Sequence, residues 1–382
     1  MTGRLLFVVT EDWAFLRHRL PMAMAAVAGG FEVAVATRVS RHGDAIRERG
    51  IQVYHTPLDR AGLSPLRDIR YLLRLVAVLR AFRPGLIHNV ASKPILYGTI
   101  AARLAAPAAR VVNAFTGLGI LFTEGARTGR AKIIGGVLLA ALRFLCRNRR
   151  VTMLVQNSDD RAFLADHGIG NPARTALIPG SGVDIDAFRP APEPGAGPVR
   201  ALFVGRLLWT KGLGELVAAA RILKDRGRDI RFVLVGAPDP GNPTSVSAAD
   251  IEAWVRDGLV EWQGERSDIA ACWAEAHIAV LPSWREGMPK SLLEAAACGR
   301  PMIATDVPGC RDLVRSGETG LLVPRGDAAA LADAVDALAT DPARRSAMGA
   351  AARRDAETRF SADIVGQQTR ILYRNTLAGE TT

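Results

Sequence analysis

Short apolar runs alternate with longer stretches in which apolar residues recur every three or four positions, along the whole chain. Runs of three to six residues bounded by turn formers read as strands, and the stretches between them as crossover helices. In the first half the runs are Leu5–Val9, Glu32–Ala36, Leu86–His88, Arg110–Ala114 and Met153–Gln156. The segment Leu177-Ile-Pro-Gly-Ser-Gly-Val-Asp-Ile-Asp-Ala-Phe-Arg-Pro190 then leads into Ala191-Pro-Glu-Pro-Gly-Ala-Gly-Pro198, dense enough in Pro and Gly to read as an interdomain connection. The alternation restarts with Arg200–Val204, Phe232–Val235, Val260–Gln263, Ile278–Leu281 and Met302–Ala304, and a last helix is expected at about 361–376. The pattern predicts an α/β chain of two Rossmann-like domains with parallel sheets, facing across a cleft and binding ligands beyond the carboxyl ends of their strands. The expected boundaries are 1–188, 189–360 and a C-terminal helix over 361–382.

Composition adds bounds. A chain of 382 residues is long enough for two domains, and 49% hydrophobic with 23% charged residues is ordinary for a globular protein. Cys146, Cys272, Cys298 and Cys310 lack metal-ligand spacing and read as buried free thiols of a reducing compartment. Met1-Thr-Gly-Arg leads straight into a strand, without the pattern of a signal peptide, and the longest apolar run, Ile133–Leu142, is too short to cross a bilayer. Charge is lopsided: residues 1–190 carry 26 Lys and Arg against 13 Asp and Glu, and residues 191–382 carry 23 against 25. A basic half beside a neutral one points to an anionic surface met on one side. No nucleic-acid-binding signature accompanies it, so an anionic membrane is the expected partner rather than nucleic acid. Two stretches fit interfacial helices: 67–84, with arginines at 67, 70, 74, 80 and 83, and 127–150, with the run Lys132 to Arg150. An ordinary surface helix with a solvated arginine face is the alternative for both.

The candidate chemistry sits mainly in the second half. Glu286 and Glu294 lie eight residues apart in Ser283-Trp-Arg-Glu-Gly-Met-Pro-Lys-Ser-Leu-Leu-Glu294, where Pro289 suits a first helical turn and Gly299-Arg-Pro301 a stop. With a helix starting at Glu286 the two carboxylates stand about 12 Å apart along its axis. A hydrolytic pair needs roughly 5 to 9.5 Å. Such spacing suits two parts of one long ligand, with an anion between them at the helix start beside Gly287. A second element, Gly205-Arg-Leu-Leu-Trp-Thr-Lys-Gly212, ends a strand and opens a helix, and offers Arg206 and Lys211 to a phosphate.

Together these strings resemble family 4 of the retaining GT-B glycosyltransferases: Gly205-Arg-x4-Lys-Gly212, Glu286-Gly-x6-Glu294, then Ala-x2-Cys-Gly-Arg-Pro301, Asp306-Val-Pro-Gly-Cys310, Gly320-Leu-Leu-Val-Pro324 and Gly182-Val-Asp184. The start, Thr10 to Leu20, and Asn113-Ala-Phe-Thr-Gly-Leu-Gly119 are similar to bacterial members that extend undecaprenyl-diphosphate-linked glycans. The resemblance implies that the C-terminal helix crosses back to the first domain. It implies that Gly205, Arg206 and Lys211 hold the donor diphosphate and that Glu294 takes the ribose hydroxyls. Glu286 would contact the transferred sugar with Gly287, Met288, Pro289, Lys290 and Ser291 around it, and the base would meet the backbone at Gly264 and Arg266. No metal and no cofactor is expected, since the cations and the helix start can neutralise the leaving diphosphate and no Asp-x-Asp motif is present. Glu286 is read as positioning and stabilising an oxocarbenium-like state, although a nucleophilic role is open.

On the acceptor side the resemblance points to His88 as a catalytic group, and Lys93 is read as a contact to a lipid-linked diphosphate. Glu11, Asp12, His18 and Thr116 are expected at the acceptor, although Glu11-Asp-Trp13 replaces a glycine-rich loop and Val90 stands where a second histidine is frequent. The implied activity is transfer of a hexose or N-acetylhexosamine from a UDP-sugar to a polyprenyl-diphosphate-linked saccharide, at the inner face of the cell membrane, for a surface polysaccharide or glycan. Alternatives are transfer to a soluble acceptor, a sugar-nucleotide epimerase on a related fold, and a non-catalytic nucleotide-sugar-binding module.

Overall fold

The computed structural model describes residues 3–58, 64–117, 129–195 and 197–380, apart from the side chains of 129–134. The chain divides into two compact units, one made of Met1–Ser181 with Asp363–Thr382 and the other of Gly182–Ala362. In the first unit the strands are β1 (Arg4–Glu11), β2 (Glu32–Arg38), β3 (Gln52–His55), β4 (Leu86–Val90), β5 (Arg110–Ala114), β6 (Val151–Val155) and β7 (Thr175–Leu177). They pair in parallel in the order β3-β2-β1-β4-β5-β6-β7. In the second unit β8 (Val199–Val204), β9 (Ile230–Val235), β10 (Val260–Trp262), β11 (Ile278–Leu281), β12 (Met302–Thr305) and β13 (Gly320–Val323) pair in parallel in the order β10-β9-β8-β11-β12-β13. Both units are therefore Rossmann-like.

Burial explains why these strands form. Leu6 and Val8 of β1 enter one core with Ile87, Val111 and Met153, while Leu5, Phe7 and Val9 enter the core on the opposite face. A parallel strand covered on both faces gains from every side chain and so reads as a continuous apolar run. The expected runs match the interior strands and the edge strand β10. Three strands absent from the expectation, β3, β7 and β13, are short and lie at sheet edges, where exposure breaks the run.

The final helix, Ala362–Ala378, sends Val365, Leu372 and Tyr373 into the β1-face core of the first unit. Each such burial contributes about 1.5 to 3 kcal/mol. The Pro- and Gly-rich stretch before β8 is not a free tether. Glu193 takes a two-pronged ion pair from Arg345, at 3.0 and 2.9 Å, and Arg300 donates to the Pro192 carbonyl at 3.1 Å, so the stretch is held on the second unit. The chain passes between units earlier, at Ser181–Gly182.

The basic stretch beginning at Arg67 is a helix, Pro65–Phe82, with Pro65 in its first turn and left-handed Arg83 at its end. Tyr71, Leu75, Val78, Leu79 and Phe82 cover the sheet. Its opposite face leaves Leu66 82%, Ile69 56% and Leu73 64% exposed among Arg67, Arg70 and Arg74. The second basic stretch is helical over Gly129–Cys146, with Val137 and Phe144 exposed, while residues 127 and 128 lie outside the described residues. No helix among the described residues is long and apolar enough to cross a membrane. All four cysteines are buried and free.

Candidate active site

In the second unit, β8 and β11 are neighbours, so the loops leaving their carboxyl ends run side by side. The first is Gly205–Gly212 and the second Pro282–Pro289, and backbone bonds lock them together. The Thr210 carbonyl accepts from the Trp284 N–H at 3.0 Å and from the Ser283 hydroxyl at 3.2 Å. Gly212 has φ +75°, and a Cβ there would fall 1.9 Å from the Pro282 carbonyl oxygen, so only glycine allows this approach. The result is a 2.5 Å ion pair between Lys211 Nζ and Glu286 Oε1.

The Glu286 turn is built from below. Its N–H donates to the Pro308 carbonyl at 3.2 Å, and Gly309, with φ +79°, lies so close that a Cβ would meet the Glu286 and Gly287 carbonyl oxygens within 3 Å. Cys310 sits beside this pair with its thiol pushed well up, first by burial and then by the Glu286 charge, so it stays protonated. Arg206 is held by Asp239, Nη1 to Oδ2 at 2.6 Å. Asp239 belongs to a loop that runs back along the basic turn: Leu207 donates to Ala237, Trp209 to Thr244 and Val246 to Leu207. The sequence reading missed Asp239; the Pro-Asp-Pro-Gly turn after a strand was its available signal.

The helix after this turn spans Lys290–Ala297, with Pro289 at the cap. It therefore starts four residues later than the spacing estimate assumed, because Glu286 to Pro289 form an irregular turn. Glu294 is 4% exposed, with Lys290 Nζ 3.8 Å from its carboxylate, and Met288 packs on the core. Gly264 and Arg266 follow β10, at the far edge of the sheet. The Arg266 guanidinium is committed to Asp268 through both prongs and to Gln263 at 3.1 Å. Its pKa is raised, chiefly by the Asp268 hydrogen bond. Arg206, Lys211 and Glu286 thus gather at the carboxyl ends of the central strands β8 and β11, and Glu294 lies one turn into the following helix. Gly264, whose carbonyl accepts from the Gly236 N–H at 2.7 Å, and Arg266 lie on the β10 side.

In the first unit, Glu11 ends β1, Lys93 and Thr116 follow β4 and β5, these three strands are adjacent, and all three residues are half-buried. Lys93 Nζ lies 3.8 Å from Asp68, which also holds the Tyr97 phenol, whose pKa is pushed up to about 12 by burial and that bond. His18 is half-buried on the Asp12–His18 helix, edge-on to Trp13. Leu118 and Gly119 of the second resembling string lie outside the described residues.

Two expected site residues serve the fold instead. Asp12 is fully buried and accepts from Trp13 N at 2.8 Å, Ser40 N at 2.6 Å, Ser40 Oγ at 2.7 Å and His42 N at 3.0 Å. Burial pushes its pKa up, but these four bonds outweigh it and the net shift is downward. A carboxylate so engaged staples a loop and has no capacity left for an acceptor. His88 is also fully buried, stacked on Phe7 at 4.9 Å, with Nδ1 2.6 Å from the Tyr373 hydroxyl. Burial first, and the buried Arg19 second, hold it neutral, with its pKa well below the usual range. It links β4 to the C-terminal helix and does not reach a substrate in this arrangement.

Comparisons with known proteins agree with this architecture. The family model of glycosyl transferases group 1 matches residues 198–341, and the glycosyl transferase 4-like model matches residues 4–157. The chain is 27% identical, over 97% of its length and 98% of the relative's, to the N,N'-diacetylbacillosaminyl-diphospho-undecaprenol alpha-1,3-N-acetylgalactosaminyltransferase of Campylobacter jejuni. Among solved structures, the sucrose-phosphate synthase of Thermosynechococcus elongatus superposes with a TM-score of 0.80, covering 98% of this chain and 99% of that one at 24% identity. The Anabaena protein HepE in complex with UDP-glucose superposes with a TM-score of 0.76, covering 98% and 100% at 19% identity. Motifs, fold and family matches together make this chain a glycosyltransferase of the GT-B, family 4-like kind.

Proposed function

We propose that the protein is a retaining transferase that moves a sugar from a UDP-sugar to a polyprenyl-diphosphate-linked saccharide, bound peripherally at the inner face of an anionic membrane and without a metal. The observation that carries the donor half is the Lys211–Glu286 pair, formed across 75 residues of sequence at the joined ends of β8 and β11. Arg206 and Lys211 each face a carboxylate, so an incoming diphosphate exchanges one anion for another and does not meet bare cations. As the glycosyl carbon–phosphate oxygen bond breaks, both cations and the start of the Lys290–Ala297 helix stabilise the charge growing on the diphosphate. Glu286, released from Lys211, turns to the sugar and stabilises its oxocarbenium character. The acceptor hydroxyl bonds to the same face of the glycosyl carbon, and its proton passes to the departing phosphate oxygen. Glu294 accepts the ribose diol.

The acceptor half is supported by the Campylobacter relative, whose name specifies a diphospho-undecaprenol substrate. Lys93, Glu11 and Thr116, at the ends of adjacent strands, are the first-unit side chains best placed for it. Support for the membrane comes from the outer face of the Pro65–Phe82 helix, where Leu66, Ile69 and Leu73 alternate with arginines. Calorimetry with UDP and UDP-glucose, with and without EDTA, tests the donor reading: binding indifferent to EDTA is expected, and no binding of either ligand rejects it. Transfer of radiolabelled sugar to a farnesyl-diphosphate-linked N-acetylhexosamine, against the free reducing sugar, tests the acceptor class.

A further inference from the structure

Trp209 is 38% exposed and Trp284 43% exposed, and each lies two residues before a partner of the Lys211–Glu286 pair. Neither ring is loose. Trp284 donates from its indole Nε1 to Glu215 Oε1 at 3.0 Å, and its backbone N–H is tied to Thr210. Trp209 stands edge-on to Trp254 at 5.7 Å, over Gly214, where an added Cβ would come to 3.7 Å from the ring. Both indoles border the first turn of the Leu213–Asp225 helix. An indole is a large apolar plate with one polar edge, and in Trp284 that edge is satisfied by Glu215. Anchoring it in advance removes the rotamer entropy that a ligand would otherwise have to overcome.

We infer that Trp284, held by Glu215, is a stacking platform for a pyranose ring at the transfer site. The inference rests on the reading of Glu286 as the contact to the transferred sugar. An aromatic face is electron-rich, so it attracts the polarised C–H groups of one sugar face and repels a diphosphate. The nucleobase is a poor occupant on geometry. Its expected contact, Gly264, follows β10, three strand positions from β11 in the order β10-β9-β8-β11. At about 4.8 Å per strand that is roughly 14 Å away. Glu215 is a positioning residue, acting only through the indole it orients.

The ring belongs either to the donor or to the acceptor saccharide, and two measurements separate them. Calorimetry compares UDP with UDP-glucose, and saturation-transfer NMR, with UDP present, follows a panel of methyl pyranosides. Trp284→Ala should remove about fivefold to tenfold of affinity from UDP-glucose or from a glycoside, the scale of one aromatic contact, and leave UDP within twofold. A loss in the first arm assigns the donor ring, and in the second the acceptor ring. Trp284→Phe should retain most of the binding. Glu215→Gln, which still presents an oxygen to the indole N–H, should match wild type where Glu215→Ala follows Trp284→Ala, at unchanged melting temperature. No Trp284-dependent change in either arm overturns the inference, as does an equal loss for UDP and UDP-glucose. If wild type binds UDP-glucose normally, that failure is of the stacking alone; if it binds neither nucleotide, the donor reading fails with it.

Discussion

The two units share one construction, a parallel sheet covered on both faces, yet they use the carboxyl ends of their strands differently. In the second unit, Lys211, Glu286, Arg206 and Asp239 pair cation with carboxylate across loops joined by backbone hydrogen bonds. In the first unit, the polar residues after β1 and in β4 turn inward: Asp12 pins residues 40 and 42, and His88 docks on Tyr373. The strand ends of the second unit present cations paired with carboxylates, while much of the first unit's polar complement is spent on holding a loop and the C-terminal helix. A motif fixes spacing along the chain, and burial decides whether the side chain is on offer.

The sharpest way to break this contrast is through donor affinity. Lys211→Ala and Glu294→Ala should each weaken UDP binding by about 1.5 to 3 kcal/mol in calorimetry, the range of a hydrogen bond to a charged group. Lys93→Ala in the first unit should leave UDP affinity unchanged, and a comparable loss there would erase the distinction between the units. Next in size is Tyr373→Phe, which strips the hydroxyl from buried His88 and should cost about 1 to 3 kcal/mol of stability in chemical denaturation. If His88 served substrate and not the fold, the same variant would lower turnover at unchanged stability. Asp12 adds a pH signature. Its native pKa is below the ordinary carboxylate value, so its stabilisation is complete above about pH 4 and fades as pH falls through the native value. Asp12→Asn should flatten that acid limb and lower stability near neutrality, read from melting temperatures between pH 3 and 7. The smallest effects are expected at the surface: replacing Arg70 and Arg74 by Gln should reduce partitioning onto phosphatidylserine vesicles by about 1 kcal/mol per charge, and added salt should mask the difference.

Interior strands were legible because burial on both faces leaves an unbroken apolar run, whereas three of the four edge strands, β3, β7 and β13, were not, since an edge strand half in water loses that signature. The cations and carboxylates of the second unit were legible as well, because each sits at a fixed offset from a glycine that its turn requires. Asp239, which faces Arg206 from 33 positions away, was not. Trp284 stood in view inside the glutamate motif, but its exposure and its anchor on Glu215 are facts of packing.

From the order of its residues alone this chain determined two α/β halves, a glycosyltransferase likeness and a donor motif, since these depend on local periodicity and on glycines at set positions. Only the tertiary structure decided that Lys211 meets Glu286, that Arg206 meets Asp239, and that Asp12 and His88 belong to the interior. Those outcomes depend on which strands become neighbours and which side chains lose water, and both are set by contacts between residues far apart in the chain.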